Sequence, residues 1–163
     1  MKTKTAVLVS VLCLSGSVVC LAGDANVGTW KLNEAKSRFG PGAPKNHTVV
    51  YEGSKHNMKV TVDGTDADGK PTHNEWRGKF DGKDYPVTGD STSDTRAYKK
   101  IGNDTNCAKL NFCTLELTGK KDGEVTTSGY IVVSPDGKSR TVTVSGTDPH
   151  GNKTDATAVY DKQ

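Results

Sequence analysis

Residues 60–69 read VTVDGTDADG, and the reading of this stretch decides the fold. Met58, Val60 and Val62 alternate with Lys59 and Thr61. A period of two puts apolar side chains on one face of an extended chain and polar ones on the other, the mark of a half-buried β-strand. Asp68-Gly69 then suits a tight hairpin, because glycine takes a positive φ without steric cost. The stretch returns 82 residues later as VTVSGTDPHG over 142–151, identical at seven of ten positions. TDADG also carries part of a calcium loop. With Gly69 as the sixth position, Asp66 and Asp68 fall at the third and fifth and Glu75 at the twelfth. The first position is Gly64, which has no side chain to offer, and the flanks alternate as strands where an EF-hand requires helices. The stretch reads as a hairpin tip, and no metal is assigned to it.

The same rhythm runs through the chain. Trp76, Gly78 and Phe80 alternate with Arg77 and Lys79, and Val142 and Val144 with Thr141 and Thr143. Turns are marked by Asp68-Gly69, Asp81-Gly82, Asp122-Gly123, Asp136-Gly137 and His150-Gly151, the last three at a constant spacing of fourteen residues. Strands are predicted near 28–33, 47–53, 57–65, 72–80, 84–89, 95–101, 112–119, 125–134, 139–147 and 154–161. Residues 34–46 have room for one helical turn before Gly40-Pro41-Gly42 and Pro44 stop it. Ten short strands in sequence must protect their edges, and closure does so. The expected fold is all-β, an antiparallel up-and-down meander closing into a lipocalin-like (calycin-type) β-barrel of 8–10 strands.

The N-terminus reads as a processing signal. MKTKT supplies lysines, AVLVSVLCLSGSVVC an apolar run, and Cys20-Leu21-Ala22 a small-residue cleavage site. The run is shorter than the ~20 residues a membrane-spanning helix needs. The expectation is a signal peptide over 1–22, cleavage near Ala22, and a single secreted or periplasmic barrel domain over 23–163. Losing Lys2 and Lys4 takes the formal charge from +3 to about +1. That balance lacks the basic footprint of a nucleic-acid binder or a polybasic membrane patch. Two cysteines remain, Cys107 and Cys113, and in an oxidising compartment such a pair is expected to bridge. In one straight strand their Cα atoms would lie roughly 20 Å apart, so a disulfide requires a bend near 109–111.

Little else suggests chemistry. There is no G-x-S-x-G, H-E-x-x-H or P-loop, and no catalytic or cofactor constellation stands out. His73 and Glu75 share a strand face without a third ligand, and GDSTSD over 89–94 reads as a turn. Fewer than a third of the residues after Ala22 are apolar, with two tryptophans and three phenylalanines. This composition points to a narrow core filled by side chains.

VGTWKL over 27–32 resembles the opening strand of fatty-acid-binding proteins and holds the G-x-W of lipocalins; TAVYDK over 157–162 resembles the closing strand of the former. The resemblance implies a barrel whose first and last strands meet, with Gly28 permitting close backbone approach and Trp30 plugging one end. The arginine that fatty-acid-binding proteins carry two residues before the closing tyrosine has no counterpart, the position being Ala158. Across its length the chain also resembles small exported bacterial proteins sharing a GTWKLN…AKS start, a GKFDGKDYPVTGD-like centre and a YDKQ end. On these grounds the expected function is to bind a small, apolar ligand. Trp30, Trp76, Phe80, Tyr85 and Tyr160 are the lining candidates. The alternative is a filled barrel acting through its outer surface as an envelope interaction or inhibitor protein. Oligomeric state is left open.

Overall fold

Alternation along 58–62 becomes a wall in three dimensions: Met58, Val60 and Val62 are buried on the inner face of a strand whose Lys59 and Thr61 remain partly in water. The computed structural model describes residues 24–54, 56–101, 114–148 and 150–163. They form β1 (Gly28–Leu32), a 3₁₀ turn (Glu34–Lys36), β2 (Arg38–Phe39), β3 (Lys45–Ser54), β4 (Asn57–Thr65), β5 (Pro71–Gly78) and β6 (Tyr85–Thr88). After them come β7 (Thr95–Ile101), β8 (Thr114–Lys121), β9 (Glu124–Val133), β10 (Ser139–Thr147) and β11 (Lys153–Lys162). From β3 to β11 each strand pairs antiparallel with the next. β1 pairs with both β3 and β11, setting Trp30 opposite Lys162 and Leu32 opposite Tyr160, and so closes a ten-stranded barrel. The two-residue β2 lies against β11 outside that circuit. Sequence periodicity did not signal it, because two residues cannot show a period. The signal-like segment 1–22 and the Cys107–Cys113 pair lie outside the described residues.

All five Gly-marked turns fall between paired strands. The opening stretch and its echo are the β4–β5 and β10–β11 tips, built alike. Asp66 Oδ1 accepts from the backbone N–H of Asp68 and of Lys70, both at 2.9 Å. Asp148 Oδ1 accepts from the N–H of His150 at 2.9 Å and of Asn152 at 2.8 Å. Gly69 and Gly151 follow with φ of 79° and 85°, where a side chain would be strained. The carboxylate of TDADG is therefore occupied by the turn's own amides.

This geometry sets a pH dependence. The Asn152 side-chain amide, and after it the Asn152 and His150 N–H groups, hold the Asp148 carboxyl below its ordinary value. A carboxyl depressed in the folded state stabilises above its unfolded pKa and loses that contribution as pH falls through the folded one. Melting temperature is expected to decline below about pH 4. The decline should be shallower in Asp148→Asn, which keeps an acceptor oxygen but cannot titrate; parallel curves for the two proteins would contradict the assignment.

The barrel interior is graded in side-chain size along its axis. At one end Trp30, Met58, Trp76, Phe80, Leu115 and Val133 fill the section. Segment 24–27 covers this end, with Trp30 Nε1 donating to the Asn26 carbonyl at 2.7 Å and Asp24 pairing with Lys100 at 2.9 Å. Gly28, which pairs with Tyr51 of β3, faces the Lys162 side chain. At its φ of 127°, a Cβ would lie 2.8 Å from Lys162 Cε. Towards the other end the inward positions carry Ser93, Gly119, Thr127, Gly146, Ala156 and Ala158, and the interior stays open. The expectation of a core filled by side chains holds for one half of the barrel and is corrected for the other. An average composition does not show that large and small side chains are sorted to opposite ends.

Candidate functional site

The open half is a cavity of about 610 Å³. Its mouth is framed by Gly42, Ala43 and Pro44, by the Asp-capped tips at 66–68 and at Asp148 and His150, and by the β6–β7 loop around 89–93. Val62, Leu117, Ile131, Val142, Ala156 and Ala158 give it apolar walls. Strand register explains these walls: Val142 lies opposite both Ile131 and Ala158, so three inward side chains meet at one level.

Two arginines line this space, and their surroundings differ. Arg96, on β7, donates from Nη2 to Asp90 at 2.6 Å and from Nη1 to Asn74 at 3.2 Å. Both members of the ion pair are nearly enclosed, with side chains 12% and 13% exposed, and mutual neutralisation makes that burial tolerable. Arg140, on β10, is 2% exposed. Its guanidinium packs on the rings of Trp30 and Tyr51, each with Cζ 4.8 Å from the centroid, and of Tyr160 at 4.9 Å. Nε and Nη1 have no hydrogen-bond partner, and among the described residues no carboxylate lies in ion-pair reach. Arg140 is thus a buried guanidinium stacked among three aromatic rings, with the Tyr51 hydroxyl as its hydrogen-bond partner.

That charge is felt around it. Burial pushes the Tyr160 phenol up to about 12, the Arg140 charge opposing the rise. Tyr51 is raised by its burial first and by Tyr98 second, again against Arg140. Both phenols keep their protons at neutral pH and remain able to donate. Burial first, and Arg140 second, hold Lys162 below its ordinary value where it rests 5.1 Å from the Trp30 centroid.

Of the five aromatic residues named from sequence, Tyr160 lines the cavity. Trp30, Trp76 and Phe80 belong to the filled end, and Tyr85 packs edge-on against Trp76 at 5.8 Å, against the same core and away from the cavity lining. Large rings close a barrel; small residues open it. Arg140 escaped the sequence reading although a signal was present. It stands in phase with Val142 and Val144, a charge on the apolar face of its strand. Arg96 is likewise in phase with Tyr98.

No family model and no curated protein matches the chain. Among solved structures it is similar to a redesigned β-barrel, mFAP1, bound to DFHBI, at 16% identity and a TM-score of 0.43, over 85% of this chain and 95% of that one. A second redesigned barrel, b11L5F_LGL, matches at 14% and 0.43, over 85% and 92%. EF1p2_mFAP2b bound to DFHBI matches at 13% and 0.45, over 85% and 94%. Likenesses this distant carry no argument about what the present barrel binds.

Proposed function

We propose that this protein is an exported, lipocalin-like β-barrel that holds a small, largely apolar molecule in the open half of its interior. One observation carries the reading: a closed barrel, packed at one end, keeps a cavity of about 610 Å³ at the other, walled by small and aliphatic side chains. A volume of that order is the size of a small-molecule site. Export rests on the signal-like order of residues 1–22.

A second reading is favoured by the outer face of β9, where Val125, Tyr130 and Val132 are 57%, 50% and 43% exposed. Outward apolar side chains on one strand suit a protein partner, as the interaction-protein alternative requires. One experiment separates the two. The mature protein is purified from its native envelope and analysed by native mass spectrometry beside an organic extraction. A stoichiometric small molecule supports the carrier; bare barrel with a co-purifying polypeptide supports the outer face and contradicts it.

A further inference from the structure

Resting on the reading of the open half as a ligand site, we infer that Asn74 donates a hydrogen bond to the ligand, an uncharged, mostly apolar molecule bearing a carbonyl. Asn74 stands on the inward face of β5, opposite Val62 of β4, and lines the cavity while only 8% exposed. Its amide can be oriented from chemistry. A guanidinium donates and never accepts, so the atom that meets Arg96 Nη1 at 3.2 Å is the oxygen, Oδ1. Nδ2 then points the other way. It has no hydrogen-bond partner among the described residues and is not sealed from solvent. On an inward position of β5, the space that reaches it is the cavity.

The amide is held from behind. Asp90 Oδ2 accepts from Arg96 Nη2 at 2.6 Å, while Oδ1 accepts from the Thr92 hydroxyl at 2.7 Å and the Thr92 N–H at 2.8 Å. Carboxylate, guanidinium and amide form a chain whose free end is a donor, each link polarising the next. A donor left unfilled in a largely apolar enclosure costs free energy until an acceptor meets it.

Charge selects among acceptors. Arg96 is neutralised by Asp90, Arg140 is enclosed by its rings, and the mouth carries Asp66, Asp68 and Asp148. An anion would enter against like charge and find no free cation; a cation would meet the N–H end of the amide. A carbonyl accepts from Nδ2 and brings no donor that needs a partner. The rest of the molecule lies towards Val142 and Val144 on β10, halfway round the circuit from β5.

The purified full-length protein is titrated with Prodan, a naphthyl ketone whose emission moves to longer wavelength when its carbonyl accepts a hydrogen bond. N-phenylnaphthylamine fluorescence serves as an uncharged reporter of the cavity that lacks a carbonyl. Decanoate and its methyl ester are compared as competitors of the reporter, and the ester is expected to bind more tightly. In Asn74→Leu the ratio of Prodan affinity to reporter affinity should fall about threefold to tenfold, the scale of one neutral hydrogen bond. Bound Prodan should also emit at shorter wavelength than in the wild type. Asn74→Asp, nearly isosteric and still offering Arg96 an oxygen, should lose the same preference, and reporter binding shows which variants are folded. Decanoate binding more tightly than its ester overturns the inference, as does a ratio and emission unmoved in the folded variants. Reporter binding without hydrogen-bonded Prodan emission in the wild type sinks this inference alone; failure of every probe to bind sinks the cavity reading with it.

Discussion

Replacing Trp76 with alanine is expected to lower the free energy of unfolding by about 3–5 kcal/mol, the range for a large aromatic side chain deleted from a packed core. Trp76 is fully buried. It stacks on Phe80 at 6.1 Å with 17° between the rings and meets Tyr98 edge-on at 4.8 Å. Its Nε1 donates to the Arg96 carbonyl at 2.8 Å. Phe80 is held in the β5–β6 connection and Tyr98 and Arg96 on β7 of a closed sheet, so the barrel cannot collapse into the space an alanine leaves. In a domain of this size the loss corresponds to a fall of roughly 10–20 °C in melting temperature. Trp76→Phe keeps most of the ring contacts and loses the hydrogen bond, for a smaller cost of about 1–3 kcal/mol. Equal stability of wild type and Trp76→Ala would mean that the filled end is not the element that holds the barrel together.

The opposite substitution is expected to act on binding and spare stability. Ala158 faces inward from β11, level with Val142, with empty cavity beyond its Cβ. Large side chains forced into a packed core cost ~1–3 kcal/mol, but here an indole enters open space and gains apolar contact. Ala158→Trp should therefore hold or raise the melting temperature while weakening N-phenylnaphthylamine binding about tenfold or more, a loss of at least roughly 1.4 kcal/mol of contact. The two substitutions separate the halves of the barrel: removing volume at one end costs stability, and adding volume at the other costs the ligand its room.

The ten barrel strands were legible because each is long enough to show its period, and every Gly-marked turn lies where two strands meet. Repetition of VTVDGTDADG as VTVSGTDPHG became a matched pair of Asp-capped tips, both at the cavity mouth. The site was less legible, for two physical reasons. Aromatic residues drew attention because they are conspicuous in sequence, yet a ring that fills a barrel section leaves nothing to line. Arg140 is paired directly across from Tyr160 on the neighbouring strand. A pairing between β10 and β11 is not a spacing within either. What could be read was an arginine in phase with Val142 and Val144, a charge on the apolar face of its strand.

The central claim is that one half of the barrel is packed and the other receives a small molecule. Methyl-labelled protein titrated with N-phenylnaphthylamine and followed by NMR tests it most directly. Leu117, Ile131, Val142, Val144, Ala156 and Ala158 line the cavity and are predicted to shift, saturating together. Met58, Val60, Leu115 and Val133, in the filled end, are predicted to stay in place. Shifts confined to Val125 and Val132 on the outer face of β9, or none at saturating reporter, would contradict the account.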